Sequence, residues 1–337
     1  MTDSLIKHRL LEYYKKNFPQ IDNITIPSFE RLADGWETEI YAFSLLENIH
    51  PKQDLILRIY PGKDAQAKST REFSGMVHLK TLGYPVPEVY HYGERQNSPF
   101  DGKPFCIMER IFGRLLGDLS DPSVVDLFAS LLVRLHELKW RKLIPYVKHY
   151  SPVGFLEETL DKYRATIMAS GFLGFLEPIS WIQEEATNRD LKISLAITHN
   201  DFHPYNIILD MHNRPYVIDW SGFAISDYRM DLAWALMLIE AYRTKERRLH
   251  FKNRYAEISM KNLEHLDLFD VMACTRRLFN IVVSIEQGPD KLGMRPEALT
   301  VIIRDLDKHK RVYRLFQERT RFSIPEVEAL ISKLEKS

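Results

Sequence analysis

The spacing of apolar positions changes character part-way along the chain. Ile24 to Leu32, Glu39 to Leu46 and Asp54 to Tyr60 carry aromatic and β-branched residues between turn signals, which predicts half-buried strands. Ala65 to Leu82 repeats instead at three and four, with Phe73, Met76, Val77 and the stem of Lys80 on one side. Gly83 closes it, so a helix is expected there. Pro85 and Pro87 force an extended segment, and two strand-like runs, Glu88 to Tyr92 and Pro104 to Ile111, flank a polar turn from Gly93 to Lys103. After Gly113 the helical period dominates. Val124 to Leu138 places Leu127, Leu131, Val133, Leu135 and Leu138 on a helix, and residues 154 to 191 read as two helices broken near Gly171 and Gly174. The chain after Asp231 reads as helix with breaks near Asp267, Gly288 and Ser323. One β island interrupts, with Asn206 to Asp210 and Pro215 to Trp220 flanking Met211 to Arg214.

This order predicts an α+β fold: a small antiparallel sheet with one helix in residues 1–110, then a larger, mainly helical part in residues 111–337. Glu109 to Gly113 is the expected hinge. Strands and helices are segregated, which disfavours a Rossmann fold. A length of 337 residues suits two domains. A formal net charge of +0 supplies no whole-chain field for nucleic acid or an anionic membrane. The basic run Lys245 to Arg248 reads as a solvated helix face, so no nucleic-acid partner is expected. Met1 to Lys16 lacks the unbroken apolar core of a signal peptide, and uncharged stretches such as Leu232 to Ile239 are too short to span a bilayer. No membrane partner is expected. Cys106 and Cys274 form no disulfide framework, which fits a cytoplasmic location. Nothing in the pattern speaks to oligomeric state.

The chemistry-bearing stretch is His199-Asn200-Asp201-Phe202-His203-Pro204-Tyr205-Asn206, followed by Asp219-Trp220. If Asp210 pairs with Pro215 across the hairpin, Asn206 faces Asp219, with Cβ atoms about 4.5–5.5 Å apart. An amide oxygen and a carboxylate so placed suit Mg²⁺, with water and phosphate completing its shell. Asp201 sits just upstream on a loop that Pro204 keeps from becoming helix. His199 and His203 share a four-residue spacing, but Pro204 spoils the helix a zinc pair would need and no third ligand is evident. Walker A, Gly-x-Ser-x-Gly and Gly-x-Gly-x-x-Gly patterns do not occur.

His-x-Asp-x-x-x-x-Asn, followed after a hairpin by an apolar pair and Asp-Trp, resembles the catalytic signature of the aminoglycoside phosphotransferase family, which includes choline-kinase-like enzymes. The resemblance implies a two-lobed, protein-kinase-like fold in which Asp201 is the catalytic carboxylate and Asn206 and Asp219 hold Mg²⁺. Asp231-Leu232-Ala233 resembles the family's Asp-Leu-Ala, whose aspartate braces the catalytic loop; His199 would pack beneath that loop. Asn200 and Tyr205 depart from a pattern in which glycine is common, and Tyr205 adds bulk on the acceptor side. Ala33 to Glu39, with its single Gly35, resembles the phosphate-covering loop. Arg58 stands where the family's third strand places a basic residue against the nucleotide phosphates, with Glu72 positioned to pair with it. Phe105 to Ile111 resembles the hinge strand, where the backbone of Glu109 and Ile111 would meet adenine.

The resemblance implies an ATP- or GTP-dependent small-molecule kinase with a hydroxylated acceptor. The alternative is a catalytically silent nucleotide-binding scaffold, which the full set of side chains disfavours. No activation segment fits between Asp219 and Asp231, so a peptide substrate is not expected. Residues 221–337 hold 21 Lys and Arg against 17 Asp and Glu, the wrong sign for a polycation site. A neutral, anionic or singly charged acceptor is therefore expected in preference to an aminoglycoside.

Overall fold

Period-two alternation at the start of the chain becomes a five-stranded antiparallel sheet. The computed structural model describes residues 1–21, 23–32, 38–48, 51–119, 123–139, 141 and 154–336. Strands β1 (Thr25–Leu32), β2 (Glu39–Leu46), β3 (Gln53–Ile59), β4 (Val89–Gly93) and β5 (Phe105–Glu109) lie in the order β1-β2-β3-β5-β4. Alternation assigns the two faces of the sheet. Tyr41, Phe43, Leu45, Leu55, Leu57 and Ile59 enter an apolar core with Phe105 and Ile107. Arg58 is one step out of phase with that set and so lies on the opposite face, where helix α2 (Ala65–Thr81) supplies Glu72.

Among the described residues two helices, not one, belong to this N-terminal part. Helix α1 (Asp3–Asn17) is the addition: Ile6, Leu10 and Tyr14 recur every fourth residue and are buried in the sheet's core. Its ends carry ordinary signals. The Thr2 hydroxyl accepts from the Leu5 N–H, Asp3 lies in the first turn, and Lys15 and Lys16 lie in the last.

The β island belongs to a three-stranded sheet, β6 (Gly113–Leu115), β8 (Ile207–Asp210) and β9 (Pro215–Val217), in the order β6-β8-β9. Its register corrects the expected hairpin. Leu209, not Asp210, faces Pro215, and Ile207 faces Val217. The pairing is therefore shifted by one residue from the one assumed. The Asp210 carboxylate accepts from the His212 and Arg214 N–H groups, and Asn213 takes a left-handed φ of 58°. Asn206 therefore lies opposite Ile218, whose N–H donates to its carbonyl at 2.9 Å, and Asp219 falls one residue beyond. Trp220 sits in a 3₁₀ turn after the strand.

Met1–Leu115, Asn206–Gly222 and Gly293–Arg295 form one compact unit; Leu116–Tyr205, Phe223–Leu292 and Pro296–Ser337 form another. The second contains helices α3 (Ser123–His136), α4 (Phe155–Ser170) and α5 (Leu176–Asn188), then α6 (Tyr228–Tyr242), α7 (Lys245–Ser259), α8 (Leu266–Glu286), α9 (Ala298–Arg304), α10 (Leu306–Thr320) and α11 (Pro325–Glu335). The helical tail is thus broken more often than its apolar pattern suggests, with left-handed residues at Met260, His265 and Arg321 marking three of the ends. A short antiparallel pair, β7 (Leu195–Thr198) and β10 (Ala224–Asp227), is a further element that the pattern does not announce. Among the described residues no helix is long and apolar enough to cross a membrane.

The packing of α1 predicts that Leu10→Ala destabilises the chain by about 2–5 kcal/mol, the range for a fully buried leucine. Urea unfolding should show a lower midpoint with an unchanged slope. A loss below about 0.5 kcal/mol would mean α1 is not part of the core.

Candidate active site

In the second unit the site is built on α6. Asp227 caps this helix through the Arg229 N–H at 2.9 Å, which sets Asp231 in the first turn. Asp231 is fully buried, and its two oxygens accept from the His199 N–H at 2.7 Å and the Asn200 N–H at 2.8 Å. Charge-assisted bonds of this kind are the strong ones. They hold the turn after β7 in a shape that gives Asn200 a φ of 62°. Asparagine tolerates the left-handed region better than other side chains, which accounts for its standing where glycine is common. His199, also fully buried, accepts the Asp201 N–H on Nδ1 at 3.3 Å.

Asp201 is thereby presented on a fixed loop. One carboxylate oxygen accepts from Trp234 Nε1 at 2.8 Å, and the other lies 3.6 Å from His203 Nε2. Burial pushes this carboxyl upward, but the charge and hydrogen bond of His203, the charge of His199 and the Trp234 bond outweigh it. The net effect holds Asp201 well below the usual carboxylate range. The sign follows: the carboxylate is ionised at neutral pH. Any stability it contributes is present above the ordinary Asp value of 3.8 and is lost only as pH falls through its lower folded value. Tyr205 turns its ring onto Gly117, so close that a Cβ there would meet ring atoms at 2.8 Å. It is absent from the recess beside Asn200 that Tyr163, Met230, Trp234, Met272 and Arg276 line.

In the first unit Arg58 is the organising group. Its buried guanidinium donates to Glu72 Oε1 at 2.6 Å, to Thr38 Oγ1 at 3.3 Å and to Asp219 Oδ1 at 3.1 Å. Burial alone would lower the pKa of Arg58, but the Glu72 and Asp219 carboxylates raise it well above its ordinary value. Glu72 is fully buried, which pushes its carboxyl up. Arg58, the Tyr60 hydroxyl at 2.6 Å and the Trp220 backbone N–H oppose that shift. Asp219 has a left-handed φ of 64°, accepts from Ser221 Oγ at 3.2 Å and leaves its carboxylate 40% exposed.

The donor chemistry fits Mg²⁺. Asn206 and Asp219 offer an amide oxygen and a carboxylate, and Asp219 already draws a cation in Arg58. Among the described residues no group of three or more His, Cys, Asp or Glu is arranged to hold a metal. Two hard-oxygen donors are what Mg²⁺ needs when nucleotide phosphates and water supply the rest. In β5 the Glu109 N–H donates to the Glu88 carbonyl at 2.8 Å. Ile111 follows the strand and is half-buried. Gly35 and the rest of residues 33–37 lie outside the described residues.

Several partners are not apparent from the sequence: Trp234, His203 and Arg276 around Asp201, and Thr38, Tyr60 and Ser221 around Arg58 and Asp219. Trp234 is the most accessible of these, since it lies one helical turn after Asp231 and shares its face.

A buried aspartate bracing the loop of Asp201, a buried Arg-Glu pair on a five-stranded sheet, and an Asn and an Asp on a hairpin accompany a protein-kinase-like fold. The chain belongs to the phosphotransferase enzyme family, whose model matches residues 28–266. No curated protein sequence matches it. Its fold is shared with a candidate aminoglycoside phosphotransferase from Ralstonia eutropha JMP134, at a TM-score of 0.63 and 15% identity over 92% of this chain and 98% of that one. It is shared also with choline kinase from Cryptosporidium parvum Iowa II, at 0.59 and 16% over 97% and 96%. Choline kinase LicA from Streptococcus pneumoniae gives 0.55 and 15% over 98% of each chain.

Trp234→Phe keeps the ring and deletes one donor to an ionised carboxylate. Turnover should fall about 10- to 100-fold, the worth of a hydrogen bond to a charged group, with Mg-ATP affinity unchanged by calorimetry. Equal losses in turnover and nucleotide affinity would show that Trp234 supports the fold and does not orient Asp201.

Proposed function

We propose that this phosphotransferase moves the γ-phosphate of ATP or GTP to a hydroxyl of a small molecule, with Asp201 as the catalytic carboxylate. The observation that carries this reading is Asp201 itself, ionised, half-exposed, and fixed by Trp234 on a loop that Asp231 braces. Residues 1–110 act as the nucleotide-binding lobe, joined in packing by the hairpin that bears Asn206 and Asp219, and residues 111–337 act as the catalytic and acceptor-binding lobe. Arg58, kept in place by Glu72, meets the nucleotide phosphates; Gly35 lies in the loop over them; Glu109 and Ile111 face adenine. Asn206 and Asp219 would hold Mg²⁺, which supplies charge neutralisation on the phosphates. His199 and Asp231 keep the catalytic loop in shape. A likeness in fold to choline kinase LicA, also solved with AMP, supports the nucleotide assignment. The two buried free thiols suit action in the cytoplasm.

So strongly ionised a carboxylate is a weak base. Its work is to accept a hydrogen bond from the acceptor hydroxyl, orient it, and take the proton late, as the oxygen bonds to phosphorus. A loose transition state asks for little more. Asp201→Asn should keep the fold and nucleotide binding and lower turnover by about 10²–10⁴-fold. Activity within about threefold of the parent would remove Asp201 from the catalytic role. Because its pKa is depressed, kcat/KM should show no acid limb from Asp201 between about pH 5 and pH 8.

Mg²⁺ linkage gives an independent test. Nucleotide at about 100 times Kd should stabilise the chain by about 2.7 kcal/mol, a melting shift of several degrees, and strongly only with Mg²⁺ present. Asp219→Ala should abolish the Mg²⁺-dependent part. An equal shift in EDTA would rule out metal binding by Asn206 and Asp219.

A further inference from the structure

We infer that Arg276 is an anion-binding residue of the acceptor site, and that the hydroxylated acceptor carries a carboxylate or phosphate group. The inference rests on the phosphotransfer reading for the role of Asp201 and goes beyond it by naming the acceptor's charge.

Arg276 lies on α8, and its guanidinium carbon stands 4.2 Å from the centre of the Trp234 ring, the same indole whose N–H holds Asp201. One of its N–H groups donates to the Asn200 carbonyl at 3.0 Å. No carboxylate among the described residues pairs with it. Several other arginines of this helical unit do have one. Arg248 and Arg319 both meet Asp270, Arg229 meets Asp227, and Arg189 meets Asp267 and Glu185. Setting a half-buried cation without an anion costs free energy unless a ligand completes it.

The surroundings favour such a ligand. A guanidinium has five donors in a planar fork that matches carboxylate and phosphate, and lying over an indole it keeps its edge for them. Phe269, Met272 and Ala273 place apolar side chains beside the guanidinium around a recess of only about 10 Å³, and apolar neighbours strengthen an ion pair formed at its mouth. Arg276, Trp234 and Asp201 touch in series. An acceptor holding its anionic group at Arg276 could therefore bring a hydroxyl to Asp201 within the length of a small molecule. The anion also offsets the cation beside the catalytic loop, whereas a polycation would meet Arg276 directly. The rival role is structural, in which Arg276 does nothing but brace the loop through the Asn200 carbonyl. The two roles differ in what they do to KM and kcat.

The full chain, saturated with Mg-ADP so that the nucleotide site is filled, is heated with malonate or inorganic phosphate, which report on carboxylate and phosphate separately. ADP release from Mg-ATP is then compared for D-glycerate and glycerol 3-phosphate against glycerol and ethanolamine. We expect at least one anion to raise the melting temperature, and the matching anionic acceptor to exceed the neutral and cationic ones in kcat/KM. Arg276→Gln should remove the anion's protection and raise KM for that acceptor on the order of 10–100-fold, with a smaller effect on kcat, and Arg276→Lys should recover part of the loss. Protection by neither anion, protection that survives Arg276→Gln, or a preference for glycerol or ethanolamine would overturn the inference. So would an equal fall in kcat for every acceptor, the mark of a brace. Protection by Mg-ADP itself is scored separately and judges the phosphotransfer reading, so the two can fail independently.

Discussion

The carboxylate of Asp231 is the interaction on which the loop carrying Asp201 depends. A fully buried carboxylate is costly unless hydrogen bonds satisfy it. Asp231 is satisfied by two consecutive backbone N–H groups, those of His199 and Asn200. Those donors exist side by side only if the chain turns sharply after β7, with Asn200 in the left-handed region. That turn sets Asp201 one residue further on, where Trp234, from the same helix as Asp231, can reach it. A helix cap at Asp227, a buried acid at 231 and an indole at 234 thus form one device. A change at any of the three is felt at the Asp201 carboxylate.

A second constraint acts on the first unit. Arg58 is a buried cation whose desolvation is offset by Glu72 and Asp219 together, with Thr38 taking a further N–H. A guanidinium can serve three acceptors in different directions from one fixed plane, where the compact ammonium of a lysine offers a point charge. The geometry therefore favours arginine at this position. It also ties strand β3 to the hairpin that carries Asp219, since both meet on the same side chain. Removing one partner of such a buried pair would leave the other charge uncompensated, typically at a cost of about 3–5 kcal/mol.

Much of this is legible in the residues, because the chemistry needs particular side chains at particular spacings. The strands of the sheet follow from period two, and His199, Asp201, Asn206, Asp219 and Asp231 follow from the motif. The hairpin register does not, because it turns on how many residues a turn consumes. Asp210 and Asn213 shape the turn through side-chain bonds and a left-handed residue that counting from the strand ends cannot see. Helix α1 is easily overlooked despite its four-residue repeat, because charged residues fill many of the positions between Ile6, Leu10 and Tyr14. The pair β7 and β10 is four residues long in each strand, too short for a period to declare itself. Trp234, the long-range partner of Asp201, comes from α6, with Arg276 behind it on α8, and such contacts leave no local pattern.

On the proposed reading, the same contacts bear on the charge of the acceptor. A carboxylate held firmly ionised repels any anion brought near it, so an enzyme that used Asp201 on an anionic acceptor would need cations close by. His203 lies 3.6 Å from one oxygen of Asp201, and Arg276 lies behind the indole that bonds the other. His203 and the Trp234 bond hold Asp201 ionised and oriented, and on the proposed reading Arg276 lowers the cost of placing a second negative group a few ångströms away. An acidic acceptor wall, suited to a polycation, would instead raise the pKa of Asp201 by like-charge repulsion. On that reading the electrostatics of Asp201 and of its acceptor are one problem, which positive charge around Asp201 answers.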